Sequence, residues 1–118
     1  QKPSWEENPV LREDQQKIPV HLCPAALIEG VAQTLNASIQ IKGRESWNWR
    51  ESEVDMVSYL GKTMRHILKT MERMDPDDLD PETQTHHLEC AAANLAILLD
   101  ARRHETLVDN RPVSSFQK

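Results

Sequence analysis

Glycine is scarce in this chain, occurring only as Gly30, Gly43 and Gly61. Neither a G-x-G-x-x-G dinucleotide loop nor a G-x-x-x-x-G-K-S/T phosphate loop is present, and no serine stands in a G-x-S-x-G elbow. Cysteine is scarcer still. Cys23 and Cys90 lie outside any C-x-x-C pair, which argues against a disulfide framework and a cysteine-rich zinc site and makes a reducing cytoplasm the expected compartment. Cys90 then reads as a small core residue. H-E-x-x-H is missing as well, because His104-Glu105 runs on into Thr106, Leu107 and Val108. No apolar run approaches the ~20 residues a membrane span needs, and the first residues carry no signal-peptide pattern. Positive charge is in deficit. A net charge of −5 argues against a general nucleic-acid surface, which requires a basic stripe. A local anion site stays open, since one metal ion and a few Lys or Arg residues set the potential there.

What is present is helical rhythm, with no alternating stretch of useful strand length. Over 24–35, Leu27, Ile28, Val31, Ala32 and Leu35 share one side, and Pro24 suits the first turn. Gly30 weakens this helix by about 1 kcal/mol relative to alanine and marks a close approach or a bend. A loop is expected over 36–50, carrying Trp47 and Trp49, one of which should anchor it on the core. A second helix is expected over 53–74, opened by Ser52 with Asp55 three residues on. Its core stripe is Met56, Val57, Leu60, Met64, Ile67, Leu68 and Met71, with Tyr59, Thr63, His66 and Thr70 as a separate semi-polar strip. Gly61, at the edge of the stripe, leaves space for another helix. After the acidic turn 75–80, a third helix is expected over 80–100, with Asp80 as cap and Pro81 in its first position.

One domain at most fits 118 residues. Residues 1–18 read as a polar arm, 19–104 as the packing unit and 105–118 as a tail. The expected fold class is all-α: a compact bundle of three main helices with a long Trp-containing loop and poorly ordered ends. A helical unit of this size often completes its core in a partner subunit, so a homo-oligomer is expected.

At about 100° per residue, His87 and Asn94 fall in the middle of the third-helix face that carries Leu88, Ala91, Leu95, Leu98 and Leu99. Glu89, Ala93, Ala96 and Asp100 fall opposite. Polar groups on a buried face must find partners, so this helix holds either a buried hydrogen-bond network or part of a site. Arg65 and His66, with Asp80, Glu82, His87, Glu89 and Asn94, are the ingredients from which helical bundles build metal sites. A Mg²⁺ bound this way can hold a triphosphate and activate water. The ordinary alternatives are satisfied core polars at His87 and Asn94, a surface ion pair of Arg65 with Glu72 or Asp55, a solvated Glu89, and an acidic turn that only caps.

The order of Asn48-Trp49-Arg50, Tyr59, Arg65-His66, Asp80-Pro81-Glu82-Thr83, His87 and Asn94 resembles the small phage and bacterial dATP/dGTP diphosphohydrolase-type domains. Those are related in style to the MazG-type all-α NTP pyrophosphohydrolases. The likeness covers 24–99. Departures occur where the family's Lys-Tyr pair is lost or shifted near Lys42, where Gln84 stands for a glycine, and where Cys90 replaces a frequent histidine. The E-x-x-E…E-x-x-D motif of the MazG type is absent. The resemblance implies a Mg²⁺-dependent (deoxy)nucleoside triphosphate pyrophosphohydrolase acting on a purine nucleotide, in a cytoplasm that includes that of a phage-infected bacterium. It implies metal ligation by Asp80, Glu82 and Glu89, and phosphate neutralisation by Lys42, Arg50 and Arg65. Trp49 or Tyr59 would stack on the base, Asn48 and Asn94 would line its pocket, and His66 or His87 would orient water. A nucleotide-sequestering protein that no longer catalyses, or a protein-interaction module of the same fold, is the alternative.

Overall fold

Three α-helices and one very small sheet make up the residues that the computed structural model describes, 17–114 and 116. α1 spans Ala25–Lys42, α2 Met56–Met71 and α3 His87–Arg103. β1 (Val54–Asp55) pairs in parallel with β2 (Leu107–Val108), Val54 opposite Leu107 and Asp55 opposite Val108. The expected all-α bundle of three main helices is the fold. The polar arm expected over 1–18 lies almost wholly outside the described residues.

α1 is longer than its leading apolar rhythm indicates. It follows Pro24 and runs through the first part of the expected loop to Lys42. There Gly43 takes a left-handed φ of 61°, and the Arg44 N–H reaches back to the Ile39 carbonyl at 3.0 Å. This is the common way a glycine closes a helix. The turn Asn48–Arg50 then buries Trp49 in the core. α2 starts later than Ser52 predicts, because Val54 and Asp55 are drawn into the sheet. Asp55 itself caps α2, accepting the Ser58 N–H at 3.3 Å and the Ser58 hydroxyl at 2.8 Å.

The start of α3 corrects the sequence reading most. Residues 80–86 are not part of it. The Asp80 N–H donates to the Thr85 carbonyl and the Gln84 N–H donates to the Asp80 carbonyl, both at 2.8 Å. The Asp80 carboxylate accepts the N–H groups of Glu82 and Thr83, and Gln84 sits at φ 59°. Asp80 thus caps a tight turn, the alternative to a helix that its short carboxylate offers. α3 is started instead by His86, whose Nδ1 accepts the Leu88 N–H at 2.9 Å. Glu89 reaches back to accept the His86 N–H, also at 2.9 Å. The pair makes a capping box with histidine in the usual Ser/Thr place.

α3 is the central helix and packs against both α1 and α2. It does so with small residues. Cys90, Ala91, Ala93 and Ala101 are buried along with Leu98, whereas Leu88, Leu95 and Leu99 are exposed. The buried face is therefore rotated from the one expected, and Ala93, assigned to the outside, is inside. Gly30 shows why: a Cβ there would collide with the Glu89 carboxylate, so α1 lies against α3 with no room for a side chain. Gly61 has no such neighbour, since a Cβ would meet only the Arg65 guanidinium, at 3.4 Å. α2 shows the same reversal. Val57, Met64, Ile67, Leu68 and Met71 are exposed, while Thr63 is buried and Tyr59, His66 and Thr70 are half-buried. The core proper is Trp49, Val54, Leu98 and Ala101, flanked by Leu35, Met56, Tyr59, Leu60, Ile97 and Leu107. Through Leu107 the segment after 104, expected as a tail, adds to the core.

Candidate functional site

A cleft of about 150 Å³ opens between the C-terminal half of α1, the Asn48–Arg50 turn and the facing sides of α2 and α3. Its floor is the tight turn at Asp80. Three bonds converge on Asp80 Oδ2, from the N–H groups of Glu82 (3.1 Å) and Thr83 (2.9 Å) and from the Thr83 hydroxyl (3.1 Å). Thr83 in turn is 2.8 Å from the Thr85 hydroxyl, which accepts from Thr34 of α1 at 2.8 Å. Four polar side chains thus lock the turn onto α1. Burial pushes the Asp80 carboxyl up, but the Thr83 N–H and hydroxyl, nearby His66 and the Glu82 N–H outweigh it and hold the group below the ordinary carboxylate value. Asp80 is ionised at neutral pH.

His66 of α2 and His87, the first residue of α3, meet beside this carboxylate. Their Nδ1 atoms are 2.9 Å apart. His87 is completely buried, and its Nε2 lies 2.7 Å from Asp75 Oδ2. A carboxylate only accepts, so the Nε2 of His87 carries a proton. Burial first, then His87, Lys69 and Arg65, press the His66 pKa below its usual value against the pull of Asp80. His66, Asp80 and His87 each offer a ligand atom, all within 4.8 Å of one another, and together form a group that can hold a metal ion.

The cleft also carries cations. Lys42, Arg44 and Lys62 line the cleft. Burial lowers the Lys62 pKa, and the charges of Lys42, Arg44 and Arg65 lower it further. Like charges gathered at a cleft wall repel one another, and an anion placed among them removes that penalty. Lys62 also stands over the Tyr59 ring, 4.5 Å from its centroid.

Of the residues singled out by sequence, Lys42, Asn48, Trp49, Tyr59, His66, Asp80, Glu82 and Asn94 line this one cleft, and His87 stands directly behind His66. Arg50, Arg65 and Glu89 do not line it. Arg50 donates to Asp100 through Nε at 2.7 Å and Nη2 at 3.1 Å and lies over the Trp47 ring. Trp49 Nε1 donates to the same carboxylate at 2.6 Å. Asn48-Trp49-Arg50 therefore ties the loop to the end of α3. Arg65 is exposed on α2, and Glu89 is engaged in the α3 cap. Sequence reasoning missed Arg44, Lys62, Asp75 and the threonine relay. Thr83, three residues after Asp80, was the one with a legible signal, that of an Asp-initiated turn.

Fold and cleft together define a class: a small helical domain with a cleft lined by Lys42, Arg44 and Lys62 beside a His/Asp group. The chain belongs to the family described as "dATP/dGTP diphosphohydrolase, N-terminal", whose sequence model matches residues 7–111. It is similar to a "dATP/dGTP diphosphohydrolase" of Salmonella phage PMBT28, at 32% identity over 105 residues, covering 89% of this chain and 32% of the relative. The chain thus spans about a third of that relative's length. No solved structure matches.

Proposed function

We propose that the cleft binds a purine (deoxy)nucleoside triphosphate and hydrolyses it to the monophosphate and pyrophosphate. The observation that carries this reading is that one cleft is lined both by Lys42, Arg44 and Lys62 and by His66 and Asp80, which group with His87. Family membership supplies the class of substrate. The cations neutralise phosphate oxygens, Trp49 or Tyr59 stacks on the base, and Asn48 and Asn94 offer amides at the wall. Glu82, on the Asp80 turn, fits the hard Mg²⁺ that accompanies a triphosphate and keeps most of its water. That ion supplies charge neutralisation at the phosphates. His66, which lines the cleft, orients a water for attack on the α-phosphorus, with pyrophosphate as the leaving group. The enclosed volume of about 150 Å³ is below the ~300 Å³ of a typical small-molecule site, so part of the nucleotide stays outside. A homo-oligomer, through the exposed apolar faces of α2 and α3, is part of the same proposal.

The test is pyrophosphate release from dATP and dGTP with Mg²⁺, run beside thermal melting. Turnover supports the hydrolase. Stabilisation without turnover selects the second reading, a nucleotide-binding module, which the match to the N-terminal part alone of the longer relative favours. Neither effect would remove both and leave an interaction domain.

A further inference from the structure

The chemistry behind the cleft is not that of a magnesium site. Magnesium prefers oxygen, whereas two imidazoles with one carboxylate suit borderline ions. We infer that His66, His87 and Asp80 hold a resident transition-metal ion of the Mn²⁺, Co²⁺ or Zn²⁺ class, distinct from the Mg²⁺ that arrives with the triphosphate.

Four features agree. The two Nδ1 atoms are 2.9 Å apart, near the ~3 to 3.4 Å separation of two nitrogens bound at about 2.0–2.1 Å to one ion. His87 donates from Nε2 to Asp75 at 2.7 Å, which leaves its Nδ1 with a free lone pair directed toward His66. This carboxylate–histidine arrangement is the usual outer support of a metal-bound imidazole, fixing tautomer and ring orientation. All three bonds from Glu82 and Thr83 fall on Asp80 Oδ2, so Oδ1 is the oxygen left to meet an ion. Finally, His87 and Asp80 are both buried and His66 is half-buried, which keeps the set ordered and opens it only toward the cleft. The three ligand atoms all lie within 4.8 Å of one another. The ion takes the place of the proton shared between the rings, His66 shifting to its Nε2–H tautomer. Once bound, such an ion supplies a water of lowered pKa and a Lewis acid for a phosphoryl oxygen.

Binding of the ion is independent of nucleotide hydrolysis, although its use there rests on the function proposed above. The metal-stripped chain is titrated with MnCl₂, CoCl₂, ZnCl₂ and MgCl₂, without nucleotide, by calorimetry, with thermal melting and the visible absorption of Co²⁺ alongside. One equivalent of Co²⁺ or Zn²⁺ is expected to bind at least ~100-fold more tightly than Mg²⁺, with ligand-field bands for Co²⁺. His66→Ala removes those bands. Because His87 is completely buried, its replacement tests folding as much as ligation, so His66, or His66→Gln should the alanine fail to fold, is the variant of choice. Asp75→Asn keeps the bands but weakens binding by about 10- to 100-fold. Transition ions that bind no more tightly than Mg²⁺, or binding unchanged in a folded His66 variant, overturn the inference and leave a hydrogen-bonded histidine pair. Tight binding with no pyrophosphate release upholds the ion and removes the hydrolase. Pyrophosphate release with Mg²⁺ in a chain that binds no transition ion does the reverse.

Discussion

Lys62 and Asp100 show how differently two charged residues are used. Lys62 is partly buried, crowded by Lys42, Arg44 and Arg65, and has the Tyr59 ring beneath its ammonium. Its charge is crowded by other cations, so a triphosphate should gain from it directly. Lys62→Ala is expected to weaken dGTP binding about tenfold, near the ~1.5 kcal/mol of one hydrogen bond to a charged group, with folding unimpaired; calorimetric titration measures it. Asp100 serves the fold. Hydrogen bonding from Arg50 holds its carboxyl below the ordinary value against burial, with Trp49 and His104 helping. A carboxylate lowered in this way stabilises the fold above its unfolded pKa, about 3.9, and that contribution is lost as pH falls through the folded value. Wild type should therefore melt well above Asp100→Asn at pH 7, and the gap should close below about pH 4. A gap that stays constant across melts at stepped pH would contradict the role given to this ion pair.

At the scale of elements, the turn before α3 is the informative piece. Gln84 sits at φ 59°, a conformation that costs a side-chain-bearing residue roughly 1–2 kcal/mol and that glycine adopts freely. Gln84→Gly is expected to stabilise the chain by about 1 kcal/mol in denaturant melts; a lower stability would mean that the Gln84 side-chain bond to the Pro81 carbonyl outweighs the strain. Glu89 separates two readings in a similar way. As the capping-box partner of His86, its change to alanine should cost about 1 kcal/mol, while Glu89→Gln should keep most of it. Pyrophosphate release lost in Glu89→Gln despite intact stability would return Glu89 to the metal. The three helices were legible in sequence, because apolar spacing at helical period survives any choice of partner. Their boundaries were not. Asp80-Pro81 has the composition of a helix start, and only the backbone bonds to Gln84 and Thr85 show that it closes a turn instead. The site was legible in part: the Asp80, His66 and His87 positions came from motif order, whereas Lys62 and Asp75 become visible only when helices meet.

For the whole molecule, the face of each helix was the hardest thing to read. The apolar stripe of α2 is exposed at Met64, Ile67, Leu68 and Met71, and its half-polar strip faces inward. Among the described residues, much of the apolar surface of α2 lies outside the core built on Trp49, Val54, Leu98 and Ala101. Association through this face is what we propose. Leu68→Glu should lower the mass seen by light scattering to that of a single chain of 13.6 kDa, and a wild-type protein already at that mass would remove the oligomer. The three cations, the Asp80 turn and the His66–His87 pair meet at one cleft, for which we propose hydrolysis of a purine nucleoside triphosphate. The most direct measurement is product analysis of dATP and dGTP incubated with the chain and Mg²⁺, for the wild type, His66→Ala and Asp80→Asn. Monophosphate and pyrophosphate are expected from the wild type, with release reduced at least ~100-fold in both variants while their far-UV circular dichroism is retained. No pyrophosphate from the wild type, or undiminished release by the folded variants, would contradict the proposed hydrolysis.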